Sequence, residues 1–142
     1  MRRTTSLLLA TIAVAAPGVA EAAGSRHYEG SVAAVPDSRV AFAVVRRDDG
    51  RRVRSIAVER VPLACGDRHA TAADVTGTRG WAPIVDGHFR FAADDGTRSF
   101  RIAGEVHRHR ASGTLRISGS FEVDGKRRDC ASGRLMWSAA RD

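Results

Sequence analysis

The chain has 142 residues, with 23 basic and 16 acidic side chains, two cysteines and a net charge of +7. That length is one domain, or one domain plus a removable segment. Arginine supplies 22 of the 23 basic residues, Lys126 is the sole lysine, and Asn and Gln do not occur. An N-x-Ser/Thr glycosylation site, an Asn or Gln catalytic donor and a four-cysteine zinc cluster are therefore excluded.

The N-terminus has the pattern of an export segment. Arg2 and Arg3 precede an apolar run of ten residues, Leu7 to Ala16, which Pro17 and Gly18 break. Ala20-Glu21-Ala22 then offers small residues at the two positions that a signal peptidase reads. The pattern predicts a signal peptide over 1–22 and a mature domain over 23–142. The apolar run is about half the length that a bilayer span requires, so secretion is expected rather than anchoring. The expected location is extracellular or cell-wall associated, with no membrane span in the mature chain. Removing 1–22 takes away Arg2, Arg3 and Glu21 and leaves +6 on 120 residues.

From residue 28 onward the chain reads as strands separated by tight turns. Tyr28, Gly30 and Val32 alternate with polar or small neighbours, as do Val40, Phe42 and Val44. Asp49-Gly50 predicts the first hairpin turn, because both residues tolerate positive φ. Over Arg52 to Leu63 the apolar parity switches from Ile56 and Val58 to Val61 and Leu63, which predicts a bulge near Glu59-Arg60. Pro62 suggests a sheet edge or strand end. Arg68 to Val75 is read as a loop or irregular strand. Asp86-Gly87 and Asp95-Gly96 predict further turns. Phe100, Ile102, Gly104 and Val106 share one parity, and Leu115, Ile117, Gly119, Phe121 and Val123 share another. These are half-buried strands of period two. Ser112-Gly113 and Asp124-Gly125 complete the turn signals, and Leu135 and Trp137 point inward near the end. The fold class expected is all-β: an antiparallel meander of about eight strands, forming a β-sandwich or flattened barrel.

Cys65 and Cys130 are the only cysteines. In an exported chain such a pair predicts a disulfide. Neither C-x-x-C spacing nor an activating neighbour marks a reactive thiol.

The second half carries Gly87-His88-Phe89, Ile102-Ala103-Gly104-Glu105-Val106, Ala111-Ser112-Gly113-Thr114-Leu115-Arg116 and Cys130-Ala131-Ser132-Gly133, followed by Trp137 and Ala139. This pattern resembles small secreted all-β proteins of unassigned function from high-GC Gram-positive bacteria. The resemblance implies a fold signature of turn glycines, a core aromatic and a disulfide cysteine. It carries no catalytic residues over.

Candidate chemistry is sparse, and no catalytic residue, metal ligand set or cofactor site is assigned. His107-x-His109 is the sharpest metal candidate, yet Arg108 and Arg110 flank it, and the segment reads as a solvated hairpin end. No G-x-S-x-G elbow exists. Glu29, Glu105 and Glu122 fall on the polar parity of their strands, where paired carboxylates could serve a small hydrolase or simply form surface ion pairs. The arginines are the most numerous candidates. Arg46, Arg47, Arg51, Arg52 and Arg54 surround the first hairpin; Arg98, Arg101, Arg108 and Arg110 line another; Arg127 and Arg128 sit at a third. Guanidinium forks suit phosphate and carboxylate, so the arginines are read either as a site for an anionic wall polymer or acidic polysaccharide, or as a solvated surface enriched in arginine by codon usage. Nucleic acid fits less well, because no aromatics interleave the arginines to stack bases. The function expected is a secreted, non-catalytic β-domain with an anionic partner. The alternatives are a small barrel enclosing an apolar ligand against Tyr28, Trp81 and Phe91, or a carboxylate-based hydrolase.

Overall fold

The computed structural model describes residues 24–142; the predicted signal peptide, 1–22, lies outside the described residues. Ten antiparallel strands form a single sheet: β1 (Arg26–Val32), β2 (Val35–Arg47), β3 (Gly50–Ala64), β4 (Ala70–Val75), β5 (Trp81–Pro83), β6 (His88–Asp94), β7 (Arg98–Val106), β8 (Arg110–Val123), β9 (Lys126–Ala131) and β10 (Leu135–Arg141). Among the described residues no helix is long and apolar enough to cross a membrane.

The long strand β8 organises the sheet. One edge pairs with β7, which pairs onward with β6. Along the other edge β9 and β10 lie end to end, β9 against Ser118–Val123 and β10 against Arg110–Leu115. β10 also pairs with β1, and β2 and β3 follow. β3 returns to β9 through one residue pair, Ala64 with Ala131. Two routes, one through β9 and one through β10, β1 and β2, thus join β8 to β3. The single sheet curls around one core as a flattened, partly open barrel, with no ladder on the outer edge of β6 among the described residues. β4 and β5 extend along the remaining edge of β3.

Turn chemistry explains most of the connections. Asp86-Gly87 and Asp124-Gly125 adopt positive φ at both residues, 51° and 80° in the first and 53° and 77° in the second, as a type I′ hairpin turn requires. The β1–β2 turn carries no such signal. It is Ala33-Ala34, with Ala34 at φ 63°, and a buried serine supports it. Ser38 Oγ accepts from the Val32 N–H at 2.9 Å and donates to the Val35 carbonyl at 2.6 Å. The predicted parity switch in β3 occurs at Arg60, which has φ 56°; pairing with β4 shifts register between Val58 and Val61. Ser112-Gly113 is a correction. It lies inside β8, and the β7–β8 connection is His107–Arg110, closed by the His107 N–H donating to the Arg110 carbonyl at 2.8 Å. Gly113 is a glycine for packing: it faces Gly104 across β7–β8.

The β6–β7 turn is held by a carboxylate. Asp95 Oδ1 accepts from the Thr97 N–H at 2.9 Å, the Thr97 hydroxyl at 2.9 Å and the Arg98 N–H at 2.7 Å. The backbone N–H groups of Thr97 and Arg98, with the Thr97 hydroxyl, hold its carboxyl below the usual carboxylate range. A lowered folded-state pKa gives stability that is present above the unfolded value of about 4 and lost as pH falls through the folded one. Asp95→Ala is therefore expected to flatten the acid limb of the melting temperature plotted against pH. An unchanged acid limb would show that the turn does not depend on the charge.

The inward faces follow the predicted parities. Tyr28, Phe42, Phe89, Phe100, Leu115, Ile117 and Trp137 are buried in one core with the valines of β2 and β3. Tyr28 stacks on Phe42 at 5.2 Å between ring centres, and Phe42 meets the edge of Trp137 at 5.7 Å. The Tyr28 hydroxyl donates to the His107 carbonyl at 2.7 Å, which ties β1 to the β7–β8 turn.

Cys65 and Cys130 form the expected disulfide. Cys65 follows the last residue of β3, and Cys130 lies in β9 next to Ala131. The bond therefore sits beside the one backbone pair that joins these strands.

Candidate functional site

The five arginines of the first hairpin do not form one patch. Directly opposed residues share a face in an antiparallel pair, and alternate residues of a strand repeat it. Arg46 opposes Arg51, and both share the inward parity of Val44 and Val53. They lie at the end of the barrel with Arg26 and Arg141, around a concavity of about 570 Å³. Arg47, Arg52 and Arg54 occupy the outward face instead. There they meet Arg79 and Trp81 in a second concavity of about 370 Å³.

The second concavity is built by β3 and β5. Arg52, Val53 and Arg54 pair with Pro83, Ala82 and Trp81, so Trp81 stands directly across from Arg54. Ala82 points inward and is buried, which turns Trp81 outward, where it is 49% exposed. The Arg52 guanidinium lies over the indole at 3.7 Å from its centre, a cation–π contact. Asp49 holds the other side of Arg52 at 2.6 Å, and this hydrogen bond lowers the Asp49 pKa. Arg52 is thereby fixed. Arg47, Arg54 and Arg79 have no carboxylate in ion-pair contact among the described residues. In the whole described chain only Arg39 and Arg52 make such pairs.

The other candidates separate. Glu29 and Glu59 lie together, but Arg39 sits between them at 2.9 Å and 3.5 Å, which occupies the space that a scissile bond would need. Glu105 instead contacts His107 at 3.3 Å, and Glu122 is exposed opposite Arg127 on β8–β9. His107 and His109 fall in the β7–β8 turn rather than on one strand face. No group of three or more His, Cys, Asp or Glu placed to hold a metal occurs among the described residues.

The expectation that Tyr28, Trp81 and Phe91 line one interior cavity is corrected. Tyr28 is packed into the core, Trp81 faces outward, and Phe91 is half-buried against Phe100 at 6.4 Å. The barrel interior is occupied by its own aromatic side chains. Where β4 and β7 part, a smaller cleft of about 230 Å³ remains, lined by Val75, Phe100, Ile117 and Phe121. Arg98 stacks on Phe121 at this cleft, at 4.4 Å, rather than pointing into an arginine patch.

Arg79 escaped the sequence reading, and Trp81 entered it only as a wall of an interior cavity. They stand about 25 residues from the hairpin, and β5 is only three residues long, too short for alternation to register. No family model matches the chain, and no curated protein or solved structure is significantly similar to it.

Proposed function

We propose that this is a secreted, non-catalytic β-domain that binds an anionic polymer of the cell surface or the extracellular medium. The observation that carries the reading is the outward concavity of Arg47, Arg54 and Arg79 around the Arg52–Trp81 stack. Three guanidinium groups without an ion-pair contact line it, and the Asp49 carboxylate beside them is engaged by Arg52. Such an arrangement is self-repulsive, and phosphate or carboxylate groups relieve it through forked hydrogen bonds. Secretion is supported by the leader pattern of residues 1–22 and by the disulfide, which persists in oxidising compartments.

The test is binding to purified anionic wall polymer at low and at high salt. Exposed charge pairing weakens as the Debye length shrinks to about 3 Å at 1 M salt, so affinity is expected to fall steeply. Arg47→Gln/Arg54→Gln/Arg79→Gln should weaken binding by about tenfold or more, with an unchanged melting temperature, because these side chains are not part of the core. Salt-insensitive binding, or a triple variant that binds like wild type, would overturn the reading.

A further inference from the structure

The outer face of β6, β7 and β8 carries a second arginine arrangement that shares no residue with the first. Arg101 on β7 directly opposes Arg116 on β8, and Ala92 of β6 completes the row on the other side. Arg134 precedes Leu135, whose partner is Leu115, so it continues the row beyond Arg116. Arg90 stands one row along, opposite Ala103. The four arginines surround a shallow depression of about 590 Å³.

Like charges directly across a sheet are destabilising. The usual remedy is an ion pair with a carboxylate of the neighbouring row, and none forms here. Asp94, the acid nearest along β6, turns back to accept from the Gly96 N–H at 2.8 Å. Glu105, further along β7, is engaged with His107. None of the four arginines has a carboxylate partner among the described residues. The residues between them are small: Ala92, Ala103 and Thr114 leave the guanidinium groups unshielded and the floor flat.

We infer that this face is a separate binding site for a linear carboxylated polysaccharide lying across the strands. Neighbouring strands are about 5 Å apart, so Arg101 on β7, Arg116 on β8 and Arg134, just before β10, present positive charge along one row across the sheet. A polyuronate carries one carboxylate per sugar ring, a repeat of similar size, and each carboxylate accepts an arginine fork. The apolar stems and the small floor residues take the C–H faces of the rings. Single-stranded nucleic acid finds no exposed aromatic platform here, since Phe91, the one aromatic in the depression, is half-buried.

The test compares Arg101→Gln/Arg116→Gln with wild type for binding to a defined-length oligogalacturonate, with polyphosphate and oligothymidylate as comparators. Oligogalacturonate affinity is expected to fall by about tenfold to a hundredfold, while the melting temperature stays level or rises because the like-charge pair is gone. The first-site variant Arg47→Gln/Arg54→Gln/Arg79→Gln should leave one oligogalacturonate site intact, which separates failure of this inference from failure of the other. Arg101→Lys/Arg116→Lys keeps both charges and stems but loses the forks, and it too should bind more weakly. Wild-type affinity in the glutamine variant, or loss of binding explained by a lowered melting temperature in both variants, would overturn the site. Tighter binding of polyphosphate or oligothymidylate would overturn the assigned polymer class.

Discussion

Replacing Cys65 with serine is expected to lower the unfolding free energy by about 4 kcal/mol, from the loop entropy of a 65-residue separation. Net stability of a domain is about 5–15 kcal/mol, so this is a large share. The location adds to the entropy. β3 and β9 are joined by only one backbone pair, Ala64 with Ala131. The disulfide therefore holds the ring of strands closed where the ladder is thinnest. Both sulfurs are buried, and the variant also places a hydroxyl and a thiol in an apolar site. Cys65→Ala/Cys130→Ala separates that desolvation cost from the loss of the cross-link. Chemical denaturation reads the free energy, and amide exchange should show early loss of protection at Ala64 and Ala131. A change under about 1 kcal/mol, well below the usual range for a native disulfide, would mean that the reduced chain keeps the ring closed by packing alone.

Much of this architecture was legible in the residues, and the parts that were not have identifiable causes. Strand faces followed from period-two alternation: Phe100, Ile102 and Val106 point inward, and so do Leu115, Ile117 and Phe121. The bulge at Arg60 followed from the parity switch around it. The staple followed from two cysteines and an export leader. What failed was register. Ser112-Gly113 has turn composition, yet Gly113 is a strand residue chosen for close approach. A two-residue turn there would set Arg101 opposite Asp124, an ordinary surface ion pair. The connection at His107–Arg110, built without any glycine, sets it opposite Arg116 instead. One misplaced turn thus conceals the row of like charges on that face. The hairpin arginines failed similarly, since adjacency in sequence joins Arg46 with Arg47 and Arg51 with Arg52, while the pleat sends the members of each pair to opposite faces. The double link from β8 to β3 depends on two short strands, β9 and β10, sharing one edge of β8, a tertiary arrangement with no local signal.

The misread Gly113 and its partner Gly104 lead to the second large effect. Trp137→Ala is expected to cost about 3–5 kcal/mol. The indole is 2% exposed, its N–H donates to the Thr114 carbonyl at 3.1 Å, and it packs against Phe42 and Phe89. The glycines in the inward parity make room for it. A Cβ on Gly104 would stand 2.5 Å from the Trp137 ring and 2.7 Å from the Ser112 carbonyl oxygen. The nearest atoms to one on Gly113 are β7 backbone, first the Ala103 carbonyl oxygen. Both Gly104→Ala and Gly113→Ala should therefore destabilise the fold, for different reasons that a double-mutant cycle can separate. In a Trp137→Leu background the ring part of the Gly104 clash disappears, so Gly104→Ala should cost less there than in wild type, with a coupling of about 0.5–3 kcal/mol. Gly113→Ala should couple to Trp137 more weakly, because its nearest collisions are with the β7 backbone, which a smaller side chain on β10 does not relieve. Equal cost of Gly104→Ala in both backgrounds would mean that the close approach of β7 and β8, rather than accommodation of the indole, is what requires glycine at residue 104.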